Sequence, residues 1–433
     1  MRNFSLVVAG LVMFTKLSYA GWTIGTIDSV GDVGKYTSLC FWMGGVAASY
    51  YDETNGNLKC RLDLLDKTSQ SFDSEDSAGN VGKFTSIGGC GDTLFISYYD
   101  ETNGNLKIAR TECWKDGFFQ TYAIDSVGNV GLFTSLYIDK THDVPYISYY
   151  DETNGDLKLA CLKDSVWTVQ KVDTAGDVGR YNSIAGHSDT IYISYYDSTN
   201  GDLKLAKYNG TNWQIEKVDT MGDVGKYSSV SYFYSDVYIY YYDETSGDLK
   251  SAHYNNISWS IGIIDSTGDV GMFCNGKGFL TYYDKTNGNF LSLGVSSWLV
   301  DTAGDVGGYS SSVAETELFF AIYYDFTNKD LKCAYVRGAV EEQATALNNT
   351  FLTVTPNLST KNFSISYTLP STSSVNLKVF NVSGKVVDVL SNEKQNAGKH
   401  QLFWQPNNLP NGLYFLQLNA NETKLTKKLI LMK

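Results

Sequence analysis

At 433 residues the chain has room for two or more domains. Its 34 Lys and Arg stand against 47 Asp and Glu, for a net charge of −13. That balance argues against nucleic acid or anionic lipid as a partner, because both need basic patches. Five prolines beside 40 glycines and 32 tyrosines suit an all-β protein with tight turns.

Residues 1–20 read as a signal peptide. Arg2 supplies the positive start, Phe4 to Phe14 the apolar core, and Ser18-Tyr19-Ala20 the small-x-small cleavage site. The apolar run is too short to span a membrane. The mature chain is expected to start near Gly21, to be exported and to carry no transmembrane segment.

Residues 21–338 repeat one unit seven times. A Tyr-Tyr-Asp step recurs at Asp52, Asp100, Asp151, Asp197, Asp243, Asp284 and Asp325, 41 to 51 residues apart. A period in the forties made of strands and turns is that of a β-propeller blade. Each unit opens with a loop of the form Asp173-Thr-Ala-Gly-Asp-Val-Gly179, followed by strand A (Tyr181-Asn-Ser-Ile184). Strand B is the Ile-Ser-Tyr-Tyr-Asp run, and strand C starts at Asp-Leu-Lys-Leu-Ala. Strand D carries a tryptophan six residues before the next loop's aspartate: Trp22, Trp167, Trp213 and Trp259. The Asn-Gly pair between B and C is expected to supply positive φ. Strand B is apolar or aromatic on both faces, as in a sheet packed against neighbours on each side.

The repeats begin with a lone D strand and end after a C strand. Pairing the two completes a seventh blade and removes both edges, so the expected fold is a closed seven-bladed propeller. In such a meander the D-to-A and B-to-C loops emerge together, placing more than half of the 47 acids on one face. Seven cysteines, an odd number, leave at least one unpaired. Equivalent positions on adjacent blades lie about 10 Å apart, beyond disulfide reach, so free thiols are expected.

Residues 339–349 read as a linker and 350–433 as a small Ig-like β-sandwich of short alternating strands. Its order of motifs is Pro356-Asn357, Ile365-Ser-Tyr-Thr-Leu-Pro370, Leu377-Lys-Val-Phe-Asn-Val-Ser-Gly384, Leu409-Pro-Asn-Gly-Leu-Tyr-Phe415 and Lys428-Leu-Ile-Leu-Met-Lys433. This order resembles the C-terminal sorting domain (type A) of the type IX, or Por, secretion system. The resemblance implies recognition by that machinery and delivery to the cell surface or the extracellular space. The repeats also resemble bacterial surface repeats with an Ile-Ser-Tyr-Tyr-Asp pattern, which implies fold and not activity.

Three functional readings stay open. In the first, the seven Tyr-Tyr-Asp aspartates and Trp22, Trp167, Trp213 and Trp259 bind a glycan or a surface partner. Repeated weak sites would gain by avidity, although the same tyrosines and tryptophans also suit inter-blade core. Hard oxygen ligands at Asp151, Asn154, Asp156, Asp173 and Asp177 make calcium a candidate cofactor, against a plain Asx turn. The second reading is an extracellular carbohydrate-active enzyme. No sialidase box, nucleophile elbow or His-Glu-x-x-His is present, and His142, His187, His253 and His400 sit in no motif. The sixth unit departs from the pattern at Phe273-Cys-Asn-Gly276 and reads as a shortened loop. A structural spacer is the third reading.

Overall fold

The computed structural model describes residues 21–62, 64, 71–112, 119–233, 235–293, 299–315 and 318–337. Further on it describes 351–355, 358–359, 363–369, 372–382, 384–396, 398–406, 409–420 and 423–431. The expected signal peptide and linker, Cys113 and Pro356-Asn357 lie outside these residues. The chain divides into two compact units, Met1–Ala339 and Val340–Lys433, and the described residues include no helix.

The first unit holds seven four-stranded antiparallel sheets. In the fourth, strand A is Val178–His187, B Thr190–Asp197, C Asp202–Tyr208 and D Trp213–Asp219, in that spatial order. Each A strand lies beside the A strand of the next sheet. The seventh (Val306–Glu315) lies beside the first (Val33–Trp42), so the sheets form a β-propeller-like ring. The seventh sheet takes its D strand from the other end of the unit: Thr23–Asp28 pairs antiparallel with Asp330–Arg337.

Burial follows this order. Strand B is buried on both faces, every residue of Gly45–Asp52 included. Strand D, at the outer edge, is mostly exposed, as in Val166–Asp173. The apolar cores lie between sheets: Leu157 and Leu159 of the third pack with Ile184, Ile193 and Tyr195 of the fourth.

Strand A is not the plain strand that the sequence suggests. Its aromatic (Tyr36, Phe84, Phe133, Tyr181, Tyr227, Phe273 or Tyr309) has φ between 50° and 54° in all seven sheets. The register with strand B shifts there, as between Arg180 and Ser183. A left-handed non-glycine residue costs about 1–3 kcal/mol, and the packing described below holds it. Two residues earlier, a Cβ on Gly179 (φ +111°) would lie 2.9 Å from the Leu157 Cα, so only glycine lets the strand approach its neighbour this closely.

The B-to-C turn also differs from expectation. Only its glycine adopts positive φ (71° at Gly155); the asparagine serves through its side chain. In the seventh sheet, Lys329 takes the left-handed position instead, at φ 63°. Cys40, Cys60, Cys90, Cys161, Cys274 and Cys333 are free thiols, as the blade spacing predicts.

The second unit has a three-stranded sheet (Phe351–Thr355, Phe363–Leu369, Gly398–Trp404) and a five-stranded one. The latter contains Ser373–Asn381, Val386–Gln395, Gly412–Ala420 and Thr423–Leu431, with Leu358–Ser359 parallel to the last of these. Both sheets contribute to one core, with Ile365 and Tyr367 from the first and Leu377, Leu416 and Leu429 from the second. The Tyr414 hydroxyl donates to the Pro410 carbonyl (2.8 Å), folding the Leu-Pro-Asn-Gly turn back against its own strand.

Candidate functional site

The D-to-A and B-to-C loops are knit into one belt on one face of the ring. The Glu101 amide donates to the Asn80 carbonyl (2.9 Å), and the Val130 amide to the Gly104 carbonyl (2.9 Å). The threonine of each hairpin accepts a loop amide, as Asp177 N–H does to Thr199 Oγ1 (2.8 Å). Between the seventh sheet and the first, the Val33 amide reaches the Lys329 carbonyl (3.0 Å). Seven equivalent loop pairs therefore share a rim.

Most of the predicted aspartates face into this rim. Asp151 closes its own hairpin, accepting from the Asn154 amide (3.1 Å) and the Asn154 side-chain amide (2.9 Å). Asp52, Asp100, Asp197, Asp284 and Asp325 do the same with Asn55, Asn103, Asn200, Asn287 and Asn328. Asp243 accepts the Ser246 amide instead (3.3 Å). All seven are buried. Their carboxylates are spent on Asx turns.

The aspartate that ends each D strand sits in the junction with the next sheet. Asp173 accepts from the Tyr195 hydroxyl (2.7 Å) and from Lys204 Nζ (2.5 Å), both on the following sheet. Lys204 also lies over the Tyr195 ring, 5.5 Å from its centroid. The same Tyr–Asp–Lys group forms at Asp28 (Tyr50, Lys59), Asp76 (Tyr98, Lys107), Asp125 (Tyr149, Lys158), Asp219 (Tyr241, Lys250) and Asp301 (Tyr323, Lys332). At the sixth junction Asp265 has Tyr282 (2.9 Å), but Leu291 stands opposite that tyrosine where the others have lysine. The second tyrosine of each pair bonds the loop beyond: Tyr150 to Asp177 (2.6 Å), Tyr324 to Asp32 (2.7 Å).

Burial alone would raise the carboxyl of Asp173. The hydrogen bonds from Lys204 and Tyr195 outweigh it and hold the group below its usual value. Asp28, Asp76, Asp125, Asp219 and Asp301 are lowered by the same balance. A carboxyl lowered in the folded state adds stability that is present above its unfolded value, near 3.9, and lost as pH falls through the folded one. Six such groups predict that the melting temperature drops steeply on acidification below about pH 4, measurable by calorimetry. Replacing Asp173 and Lys204 together by Asn and Met should shallow that slope.

The five residues considered for calcium do not form a cage. Asp151 lies within reach of Lys158 (3.5 Å), Asp156 of Lys171 (2.6 Å) and Asp177 of Arg180 (3.5 Å), while Asp173 holds Lys204. Asn154 is bound to Asp151. Calcium takes six to eight oxygens, and among the described residues no three His, Cys, Asp or Glu gather to hold a metal ion.

The tryptophans are not on the rim. Trp167 pairs with Leu162 while Asp173 pairs with Leu157, so the two occupy opposite ends of strand D. Trp213 packs on Tyr208 (5.1 Å between centroids), Trp259 on Tyr254 (5.2 Å) and Trp22 on Phe279 (5.8 Å). The aspartates and tryptophans expected to share a site are thus separated across the ring. What the rim exposes instead is Glu53, Glu101, Glu152 and Glu244, together with Val30 (74% exposed), Val127 (76%) and Met221 (78%).

At the centre, the seven left-handed aromatics touch one another in a closed circle. Successive centroids lie 4.5 to 4.8 Å apart, including Tyr309 to Tyr36 (4.7 Å). Aromatic pairs at this distance add about 0.5–1.5 kcal/mol each beyond their burial, which offsets the backbone strain at these positions.

A ring of four-stranded sheets followed by a β-sandwich is the architecture of the described chain. Residues 353–432 match the family of the secretion system C-terminal sorting domain. That match marks the protein as one exported by the type IX secretion system to the cell surface or the extracellular space. Among solved structures, PorZ, a surface component of that system in Porphyromonas gingivalis, is similar at 10% identity and a TM-score of 0.46. The match covers 94% of this chain and 60% of PorZ, so the chain spans less than two thirds of its length. An exo-β-1,3-galactanase from Phanerochaete chrysosporium is similar at 9% identity and a TM-score of 0.37, over 90% of this chain and 97% of that one. No curated protein matches the chain in sequence.

Proposed function

We propose that this is a surface-displayed or secreted binding protein: a seven-bladed propeller, residues 21–338, carried by an Ig-like sorting module, residues 350–433. The belt of equivalent loops carries this reading. It repeats the same backbone seven times and presents carboxylates and aliphatic side chains at matching positions, the arrangement that engages a repetitive partner by avidity. The buried aspartates Asp52, Asp100, Asp151, Asp197, Asp243, Asp284 and Asp325 shape the rim, and Glu53, Glu101, Glu152 and Glu244 meet the ligand. Half-buried Lys35, Lys83 and Lys226 pair with three of these glutamates, whose own side chains stay exposed.

The test compares the exported protein with a variant carrying Gln at all four glutamates, on glycan arrays and on protein-coated surfaces. Binding that weakens with salt and falls at least tenfold in the variant is expected. EDTA should leave it unchanged. Absence of binding by the parent protein, or equal binding by the variant, overturns the proposal.

A further inference from the structure

The seven A strands enclose a cavity of about 330 Å³, lined by the residues that follow the aromatic circle. Two rows of small polar side chains form its wall. In the first row most side chains donate to the carbonyl of the preceding sheet's aromatic, as Thr134 does to Phe84 (2.9 Å) and Ser228 to Tyr181 (2.9 Å), while Asn182 donates to Gly179 of its own strand (2.9 Å). The second row works in the opposite sense. Ser38, Ser86, Ser135, Ser183, Ser229 and Ser311 each accept an amide N–H of the next sheet, at 2.9 to 3.2 Å.

A serine oxygen engaged as an acceptor still has its own proton to donate. Among the described residues none of these six hydroxyls donates to a protein acceptor, and all six border the cavity. The wall therefore offers a circle of unused donors.

The sixth sheet breaks the circle. At the seventh position Asn275 accepts from Ser312 (3.0 Å), and the short turn after it directs Lys277 into the cavity. Its Nζ reaches Ser135 Oγ of the third sheet, 3.2 Å away. Among the described residues Lys277 has no carboxylate partner, and no Asp or Glu lines the cavity. Lys277 is open to solvent within the cavity, yet the density of protein around it pushes its ammonium down to about 8 by desolvation. In a chain of net charge −13, the interior of the ring is thus a cationic, donor-lined space.

We propose that this cavity binds a small oxyanion-bearing ligand, its carboxylate, sulfate or phosphate group held by Lys277 and the serine hydroxyls. A cation without a counter-ion beside a row of donors favours an anion, since a neutral guest could accept the hydroxyl protons but would leave the charge of Lys277 uncompensated. The volume lies at the lower end of small-molecule sites, which admits an acidic monosaccharide or a free inorganic anion and excludes a polymer. This site is independent of the rim, and neither reading depends on the other.

The experiment is titration calorimetry of the full exported protein with glucuronate, sulfate, phosphate and, as neutral control, glucose. Binding of at least one anion in preference to glucose is expected, with at least a tenfold loss in Lys277→Met and retention in Lys277→Arg. Glucuronate alone would identify an acidic sugar as the source; sulfate or phosphate alone, a free oxyanion. A second measurement follows Lys277 directly by NMR of reductively ¹³C-methylated lysines. Its titration should lie below the usual lysine range and move upward on saturation with the anion. Failure of all three anions to bind, or equal affinity in Lys277→Met, overturns the proposal, as does a Lys277 titration that the anion leaves unmoved.

Discussion

Asp173→Ala is expected to destabilise the protein by about 3–5 kcal/mol, because it takes from the buried ammonium of Lys204 its nearest carboxylate and leaves only Asp197, 3.7 Å away. The hydroxyl of Tyr195 loses its acceptor in the same step. Removing both charges should be milder: in Asp173→Asn with Lys204→Leu the short ion pair is gone as a unit and an apolar stem replaces the lysine's, leaving Asp197, 3.7 Å from Lys204 in the parent, to its own turn contacts. The protein carries its own precedent at the sixth junction, where Leu291 stands in the lysine's place and Asp265 keeps its tyrosine and its loop contacts with Thr267. Denaturant unfolding of the single and double variants measures the difference. Equal losses in both would mean that the stability of the junction does not come from leaving an unpaired buried charge.

Deleting residues 21–28 should be costlier still. The deletion takes away the strand that pairs with Asp330–Arg337 and, with it, Asp28, the partner of Lys59 and Tyr50. The loss includes at least the roughly 3–5 kcal/mol of a broken buried pair. It also exposes the amides and carbonyls of Asp330–Arg337 as an open edge, a template for association between chains. The expected outcome in light scattering and thermal melts is a self-associating protein that unfolds at markedly lower temperature. A monomer melting as the parent does would show that the seventh sheet needs no fourth strand.

Much of the ring was legible in the sequence because its repeats vary little. Period, strand alternation and the offset ends all follow from spacing, and the free thiols follow from blade geometry. The site was less legible, for a physical reason. Asp52 and Asp173 look alike in sequence, two acids flanking a loop, yet one closes a turn and the other anchors a neighbouring sheet. Only the partners distinguish them, and those lie 22 or more residues away in the case of Asp173. The left-handed φ of Tyr181 also escaped a reading by strand propensity. Its trace was the glycine two residues before and the unbroken choice of Tyr or Phe in every repeat. Lys277 was hidden by the opposite circumstance. It lies where the repeat fails, so a shortened turn read as loss of a loop when its consequence was to aim a lysine inward.

The closing pair also sets an order of events during synthesis. Thr26 and Lys332 meet across roughly 300 residues, and joining ends that distant costs about 5 kcal/mol of loop entropy beyond a constant term. Strands that follow each other can assemble locally while the chain is still being made, but the first strand must wait for the last. Contacts of such long separation make folding slow. A chain cut short before Asp330 keeps an unmatched strand, an open edge and an aspartate lacking its counterpart. Closure therefore works as a test of the ring's own completeness: only a copy that includes the last strand is sealed, and one without it presents the exposed edges by which cells recognise and degrade unfinished protein.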